Sequence, residues 1–264
     1  MTTPTAIQPG QQNVSDERAD AILMAAAALG LFSREKSVKT LAETPALESA
    51  PAQFERRQYL IRFAREEDLP ALIALEQRCW AAHLRTSPEE IRNRIRRYPA
   101  GQLVMEMNGA VCGVIYSQRI HALEDLGRTT SDAVWQFHAT GAPILQLLAV
   151  NVLPDYQQIN LGDQLLEFML QRASVMKGVQ SVAAVTLCKR YLQHRQCSVD
   201  EYIRWRTPHG KLRDPILRFH EVHGAAIQYA IPNYRPADTE NDGYGVLVTY
   251  DLEQRRRDEV ITAD

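Results

Sequence analysis

An excess of either positive or negative charge is almost missing from this sequence. Its 30 Lys and Arg against 32 Asp and Glu leave a formal net charge of -2 at pH 7 and a pI near 6.4. Without a basic excess there is no electrostatic footprint for nucleic acid as the main ligand. Long apolar runs are missing too, and none approaches the ~18 residues that a membrane span needs. The opening Met1-Thr2-Thr3-Pro4-Thr5 lacks the charged start and apolar core of a secretory signal. These absences predict a cytoplasmic protein with no nucleic-acid or membrane partner. Cysteine is scarce as well: Cys79, Cys112, Cys188 and Cys197 stand apart with no C-x-x-C spacing. That pattern argues against a zinc site or a disulfide framework and leaves buried free thiols as the expectation. Cys188 falls two residues after Thr186, but a nucleophilic cysteine needs an activating partner and the sequence offers none.

What is present is the balance of a folded domain, 45% hydrophobic and 23% charged. Residues 1–13 are polar and expected to be disordered. Ser15 or Asp16 can cap a helix through Leu29 that ends at Gly30, and a second helical stretch follows near Val38-Leu41-Ala42. These segments resemble the start of the winged-helix dimerisation region of methyltransferases, without its remaining helices and wing. They are too short to bury a core alone. Three parts are predicted: a partly disordered N-terminal helical adaptor and linker over 1–50, a main domain over 51–252, and a charged tail or linker over 253–264.

In the main domain Tyr59–Phe63 reads as a strand, and a helix carries Leu69, Leu72, Leu75 and Trp80. Ser87-Pro88-Glu89-Glu90 opens a second helix, with proline at its first position and acids in its first turn. Strands at 103–107 and 111–116 flank Asn108-Gly109, a hairpin signal. After an irregular stretch, 117–142, the run Ile144–Val152 is apolar enough for a strand buried on both faces. An amphipathic helix over 161–177, a buried strand over 179–187, a helix over 215–223 and a last strand over 244–250 complete a mixed α/β sheet.

The junction Val150-Asn151-Val152-Leu153-Pro154-Asp155-Tyr156-Gln157-Gln158-Ile159-Asn160-Leu161-Gly162-Asp163 carries the first chemistry. A buried strand stops at a proline, crosses a short polar loop and enters a helix with glycine in its first turn. Unpaired N–H groups then converge at the positive end of the helix dipole, a cradle for phosphate. The stretch resembles the coenzyme A loop of the GNAT superfamily, Gln/Arg-x-x-Gly-x-Gly/Ala. Gln157, Asn160 and Gly162 fall on its fixed positions, with Asn160 in place of the first glycine. Asn is the next residue after glycine to tolerate a left-handed backbone. The resemblance implies a GNAT fold: a mixed central sheet with a splayed strand and flanking helices. It assigns Gln157, Gln158, Asn160, Leu161, Gly162 and Asp163 to the pyrophosphate. Val150 and Val152, on the splayed strand, would pair with the pantetheine amides.

Amine acetyltransferases of that superfamily carry an aromatic-Tyr-x-x-x-Gly-Phe pattern whose tyrosine protonates the departing thiolate. Here the segment is Phe219-His220-Glu221-Val222-His223-Gly224-Ala225, so His220 stands where the tyrosine would. A histidine of near-neutral pKa can donate to an oxyanion or move a proton. The blocks "QLLAVNVLPDYQ", "GDQLLEFMLQ", "GVQSVAAVTLCKRY", "DPILRFHEVHGA" and "NYRPADTENDGYGVLVTYDL" together resemble the GNAT-like decarboxylase and loading domains of polyketide synthases. The similarity runs from about Leu60 to Leu252. It carries a functional set onto Trp80, Thr186, His220 and Arg235. It implies decarboxylation of malonyl-CoA (or alkylmalonyl-CoA) to an acetyl or other acyl thioester as a polyketide starter unit. S-acyl transfer to an acyl carrier protein is also ascribed to the family, which makes that protein and neighbouring synthase domains the expected partners. No metal is expected. A conventional N-acetyltransferase of amines and a catalytically inactive GNAT scaffold are the two competing readings.

Overall fold

The computed structural model describes residues 58–257. The N-terminal helices read from the sequence, and the end of the charged run, lie outside those residues. The chain runs β1 (Tyr59–Phe63), α1 (Leu69–Cys79), α2 (Pro88–Arg97), β2 (Leu103–Met107), β3 (Ala110–Ile120), β4 (Ile144–Val152) and α3 (Leu161–Val175). It continues with β5 (Ser181–Thr186), α4 (Val199–Tyr202), α5 (Pro215–Val222), β6 (Ala225–Ile231), β7 (Gly245–Asp251) and α6 (Leu252–Arg257). The seven strands form one sheet in the order β1-β2-β3-β4-β5-β7-β6. All neighbours are antiparallel except β4 and β5, whose connection through α3 makes them parallel.

Local chemistry sets the boundaries. Ser87 Oγ accepts the Glu90 N–H at 3.1 Å and Pro88 occupies the first helical position, so α2 starts where its cap residues place it. Asn108 and Gly109 have φ of 53° and 77°, the pair of positive values that a two-residue type I′ hairpin requires. Helices cover both faces of the sheet. Leu165, Leu166, Met169 and Leu170 on α3 are fully buried against one face; Leu72, Leu75 and Ile91 on α1 and α2 are buried against the other.

The sheet splits at its centre. β4 pairs with β5 only from Ile144↔Ser181 to Leu147↔Ala184, whereas on its other edge it stays paired with β3 as far as Val152. The register against β3 skips Leu148, between Tyr116↔Ala149 and Ser117↔Leu147. The bulge bends β4 where it leaves β5, and a V-shaped cleft opens between the strand ends.

Three regions differ from the sequence reading. β3 runs on to Ile120, so the irregular stretch starts later. An additional strand, β6, lies on the sheet edge. The charged run from Glu253 begins inside α6: Arg255 is half-buried, ion-paired to Glu167 and donating to the His223 carbonyl at 2.8 Å.

Candidate active site

Thr186 is the last residue of β5, at the edge of the cleft. Two residues beyond it the chain turns, and the N–H groups of Lys189 and Arg190 donate to Asp214 Oδ2 at 2.8 and 3.2 Å. The other carboxylate oxygen of the buried Asp214 caps α5, accepting from Ile216 and Leu217 N–H. One carboxylate thus pins the end of β5 to the start of α5, and Tyr202 Oη donates to it at 2.8 Å. α5 then carries His220 back over the cleft. His220 Nε2 lies 2.9 Å from Thr186 Oγ1 and Nδ1 lies 2.6 Å from Tyr250 Oη. The imidazole is 7% exposed. Burial, and secondarily the like charge of His223, pull its pKa down to about 3. It is therefore neutral throughout the physiological range. Of the two roles expected for His220, donating a hydrogen bond and moving a proton, a neutral ring favours the first.

Across the cleft Trp80 follows the last turn of α1. Its indole Nε1 donates to Asn151 Oδ1 at 3.1 Å, and Asn151 Nδ2 donates to the buried Glu76 carboxylate at 2.8 Å. The Arg235 guanidinium stacks on the Trp80 ring, 4.5 Å from its centroid, and Nη2 donates to the Leu84 carbonyl at 2.6 Å. Burial lowers its pKa, opposed by the more distant carboxylates of Asp238, Glu76 and Asp132. Among the described residues none of these closes an ion pair with it. Trp80, Thr186, His220 and Arg235 all line one cavity of about 590 Å³ that fills the splay, with Ala149, Val150 and Ala184 along its walls.

The loop below the cleft has the predicted shape. Asn160 sits at φ 62°, ψ 25°, the left-handed conformation inferred for a glycine substitute. Gln164 N–H makes the bond back to Asn160 O, so the N–H groups of Leu161, Gly162 and Asp163 have no partner within α3. A Cβ on Gly162 would meet only Val152 Cγ2, at 3.9 Å, so nothing in the chain's own packing calls for a glycine there.

The other assigned residues divide. Leu153 N–H donates to Cys112 O, which by antiparallel alternation turns the backbone groups of Val150 and Val152 away from β3 and into the cleft. The Val152 carbonyl already accepts from Gln157 Nε2 at 3.1 Å and from Cys79 Sγ at 3.3 Å. Gln157 therefore ties down the strand end with its side chain, while Gln158 is exposed. The Asp163 side chain meets His223 Nε2 at 3.0 Å, so its backbone N–H is what it offers the loop. His223 also approaches Glu167 at 3.4 Å, joining α5 to α3. Burial drives the Cys188 thiol far above its ordinary pKa and the Cys79 thiol to about 11, so neither is a ready thiolate.

Sequence reasoning missed Tyr250, Asp214 and the Glu76–Asn151 pair. Tyr250 had a signal: it shares strand parity with Val246, the partner of Thr186, and so faces the same side of the sheet. The other two depend on contacts 25 and 75 residues apart that no local pattern announces.

A mixed sheet split beside its one parallel pair, with an N–H cradle at the helix that follows, is the GNAT fold. No family model matches the chain. Among solved structures, the loading GNATL domain of CurA from Lyngbya majuscula is 45% identical with a TM-score of 0.74, over 75% of this chain and 100% of that one. The GphF GNAT-like decarboxylase, solved with isobutyryl-CoA, is 38% identical with a TM-score of 0.69, over 73% and 99%. The chain belongs to the GNAT-like decarboxylase and loading domains of the GNAT superfamily. Among curated proteins it is 24% identical over 208 residues to "Probable hydrolase YhcX" of Bacillus subtilis (strain 168), covering 75% of this chain and 39% of that protein's length.

Proposed function

We propose that this domain decarboxylates malonyl-CoA, or an alkylmalonyl-CoA, to an acyl thioester that serves as a polyketide starter unit. The observation that carries the reading is the pairing of Thr186 and His220 at 2.9 Å inside the cavity, opposite a half-buried arginine with no ion-pair partner among the described residues.

In this reading the pyrophosphate of coenzyme A rests on the N–H groups of Leu161, Gly162 and Asp163. The pantetheine arm extends along β4, where Val150 supplies N–H and C=O and Val152 its N–H. The thioester then lies beside Thr186 and His220. Arg235 holds the malonyl carboxylate in its fork, with Trp80 behind it keeping the guanidinium in plane. Heterolysis of the bond from Cα to the carboxylate carbon releases CO2 and leaves the electron pair on Cα. Delocalised as an enolate, its charge rests on the thioester oxygen, where the Thr186 hydroxyl and the His220 imidazole meet it. One such donor supplies about 2.7–4 kcal/mol. Because His220 stays neutral at working pH, the proton that completes the Cα–H bond comes from water.

The acyl-CoA product can then acylate the phosphopantetheine thiol of an acyl carrier protein. The test covers both steps. Malonyl-, methylmalonyl- and dimethylmalonyl-CoA are incubated with the protein, with and without carrier protein. CO2 is followed by trapping and the acyl species by mass. Acetyl-CoA or its alkylated counterpart is the expected product. Binding of coenzyme A without any CO2 release would overturn the decarboxylase reading, and acyl-CoA with no acyl carrier product would confine it to the first step.

A further inference from the structure

A hydroxyl and an imidazole in contact are ambiguous until the imidazole proton is placed. With the proton on Nδ1, Nε2 accepts the Thr186 O–H, and the pair becomes a nucleophile and its base. With the proton on Nε2, that N–H points at Thr186 Oγ1, the Thr186 proton is released towards the cavity, and the pair becomes two donors. The partner at the other end of the ring decides between the two. That partner is Tyr250, from the middle of the sheet, with its Oη 2.6 Å from Nδ1.

Tyr250 is 1% exposed, and His220 is its hydrogen-bond partner among the described residues. If its oxygen only accepted, its own buried O–H would go unsatisfied, at a cost of about 1–3 kcal/mol. Thr186 has no such difficulty, because it borders the cavity and its hydroxyl proton can turn to a ligand or to water. Burial also raises the phenol pKa, so the proton remains on the oxygen at any working pH. His223, the other titratable group beside His220, is engaged by Asp163 and Glu167 on α3 and does not compete for either ring nitrogen. Arg255 and Glu167 lie further out and pair with each other.

We infer that Tyr250 is a positioning residue for the decarboxylation proposed above: its phenol O–H donates to His220 Nδ1, fixes the imidazole proton on Nε2, and so turns Thr186 and His220 into a pair of donors facing the thioester oxygen. It touches no substrate atom. Its effect passes entirely through His220.

The tautomer is read directly from long-range 1H–15N spectra of the intact 15N-labelled chain. The His220 signals are assigned as those that disappear from the spectrum of His220→Ala. A pyridine-like Nδ1 with a pyrrole-like Nε2 is expected; the reverse pattern overturns the inference, whatever the variants do. Tyr250→Phe, which removes only the hydroxyl, is expected to mix the tautomers and lower kcat by about 10-fold or more with KM for malonyl-CoA unchanged. An unchanged kcat, or a loss confined to KM, overturns it. Adding Tyr250→Phe to His220→Ala is expected to cost nothing further, and additive losses would show that Tyr250 acts independently of the imidazole. Should the wild type release no CO2, the decarboxylase reading fails, while the spectrum still decides where the proton sits.

Discussion

Thr186 and His220 are close enough to act as a nucleophile with its base, and at residue scale that competing chemistry must be weighed first. A base near neutrality would need an imidazole that gains a proton readily. His220 does not, since burial holds its pKa near 3. A donor role follows, and Thr186→Val tests it. The substitution keeps the shape and removes the hydroxyl. It is expected to lower kcat for decarboxylation by about 10²–10³-fold, the value of one oxyanion donor, with no acyl-protein adduct formed by the wild type. Thr186→Ser should restore most of the rate. Intact-mass analysis during turnover checks the adduct and CO2 release checks the rate.

The same burial has a consequence for stability. The unfolded chain protonates this imidazole near 6.5, whereas the folded state resists until about 3. Between those values the unfolded state binds more protons, so the contribution of His220 is fully present above 6.5. It falls by up to about 1.4 kcal/mol per pH unit as pH drops. Glu167, lowered to about 2 chiefly by the hydrogen bond to His223, loses its contribution on the same acid side, below 4.5. His223 works in the opposite sense: its raised pKa stabilises below 6.5 and is lost as pH rises through the folded value. Melting curves of wild type and His220→Gln between pH 4 and 7 separate these contributions. The variant is expected to show a shallower acid-side decline, and parallel curves would contradict a buried neutral imidazole.

At the scale of elements, the N-terminus of α3 shows how a motif can be legible before its geometry is known. Asn160 was readable as a left-handed residue because only glycine and short polar side chains adopt that conformation cheaply, and φ is 62°. The glycine two positions on was readable as a place where something approaches the backbone. Gly162→Ala separates that role from packing. With only Val152 Cγ2 at 3.9 Å from the added methyl, thermal stability is expected to be unchanged or slightly higher. Coenzyme A affinity, measured by calorimetry, is expected to fall by roughly tenfold, because the methyl stands in the cradle. An unchanged affinity would remove the loop from the binding site.

The strands and helices that bury a continuous face were equally legible. β4 was read over its full span, and α2 from its first residue, because apolar periodicity and capping chemistry are local. What escaped was set by distant partners. β6 begins with two alanines, leaves five of its seven residues at least partly exposed at the edge, and owes its strand character to pairing with β7. Tyr250 stands in the sequence only as the end of the last strand, since it is the return of α5 across the sheet that gives it His220.

At the scale of the whole molecule the sheet is two blocks, β1–β4 and β5-β7-β6. They are joined by four parallel residue pairs, from Ile144↔Ser181 to Leu147↔Ala184. Beyond them the strands part, and the cavity between is walled by Ala149 and Val150 on one side and by Thr186 and His220 on the other. A thioester in the proposed position touches both blocks, filling the gap where backbone pairing has stopped. Ligand should therefore stabilise the fold cooperatively. At a concentration of 100 Kd the gain is about 2.7 kcal/mol, which for a domain of this size raises Tm by roughly 5–10 °C. Thr186→Val provides the contrast. If its hydroxyl meets charge that appears only after CO2 begins to leave, the variant should keep the wild-type shift with acetyl-CoA while losing turnover. A variant that lost the shift in proportion to its rate would make Thr186 a binding group for the ground state, and the rate enhancement would then have to come from Arg235 and the apolar wall at Trp80.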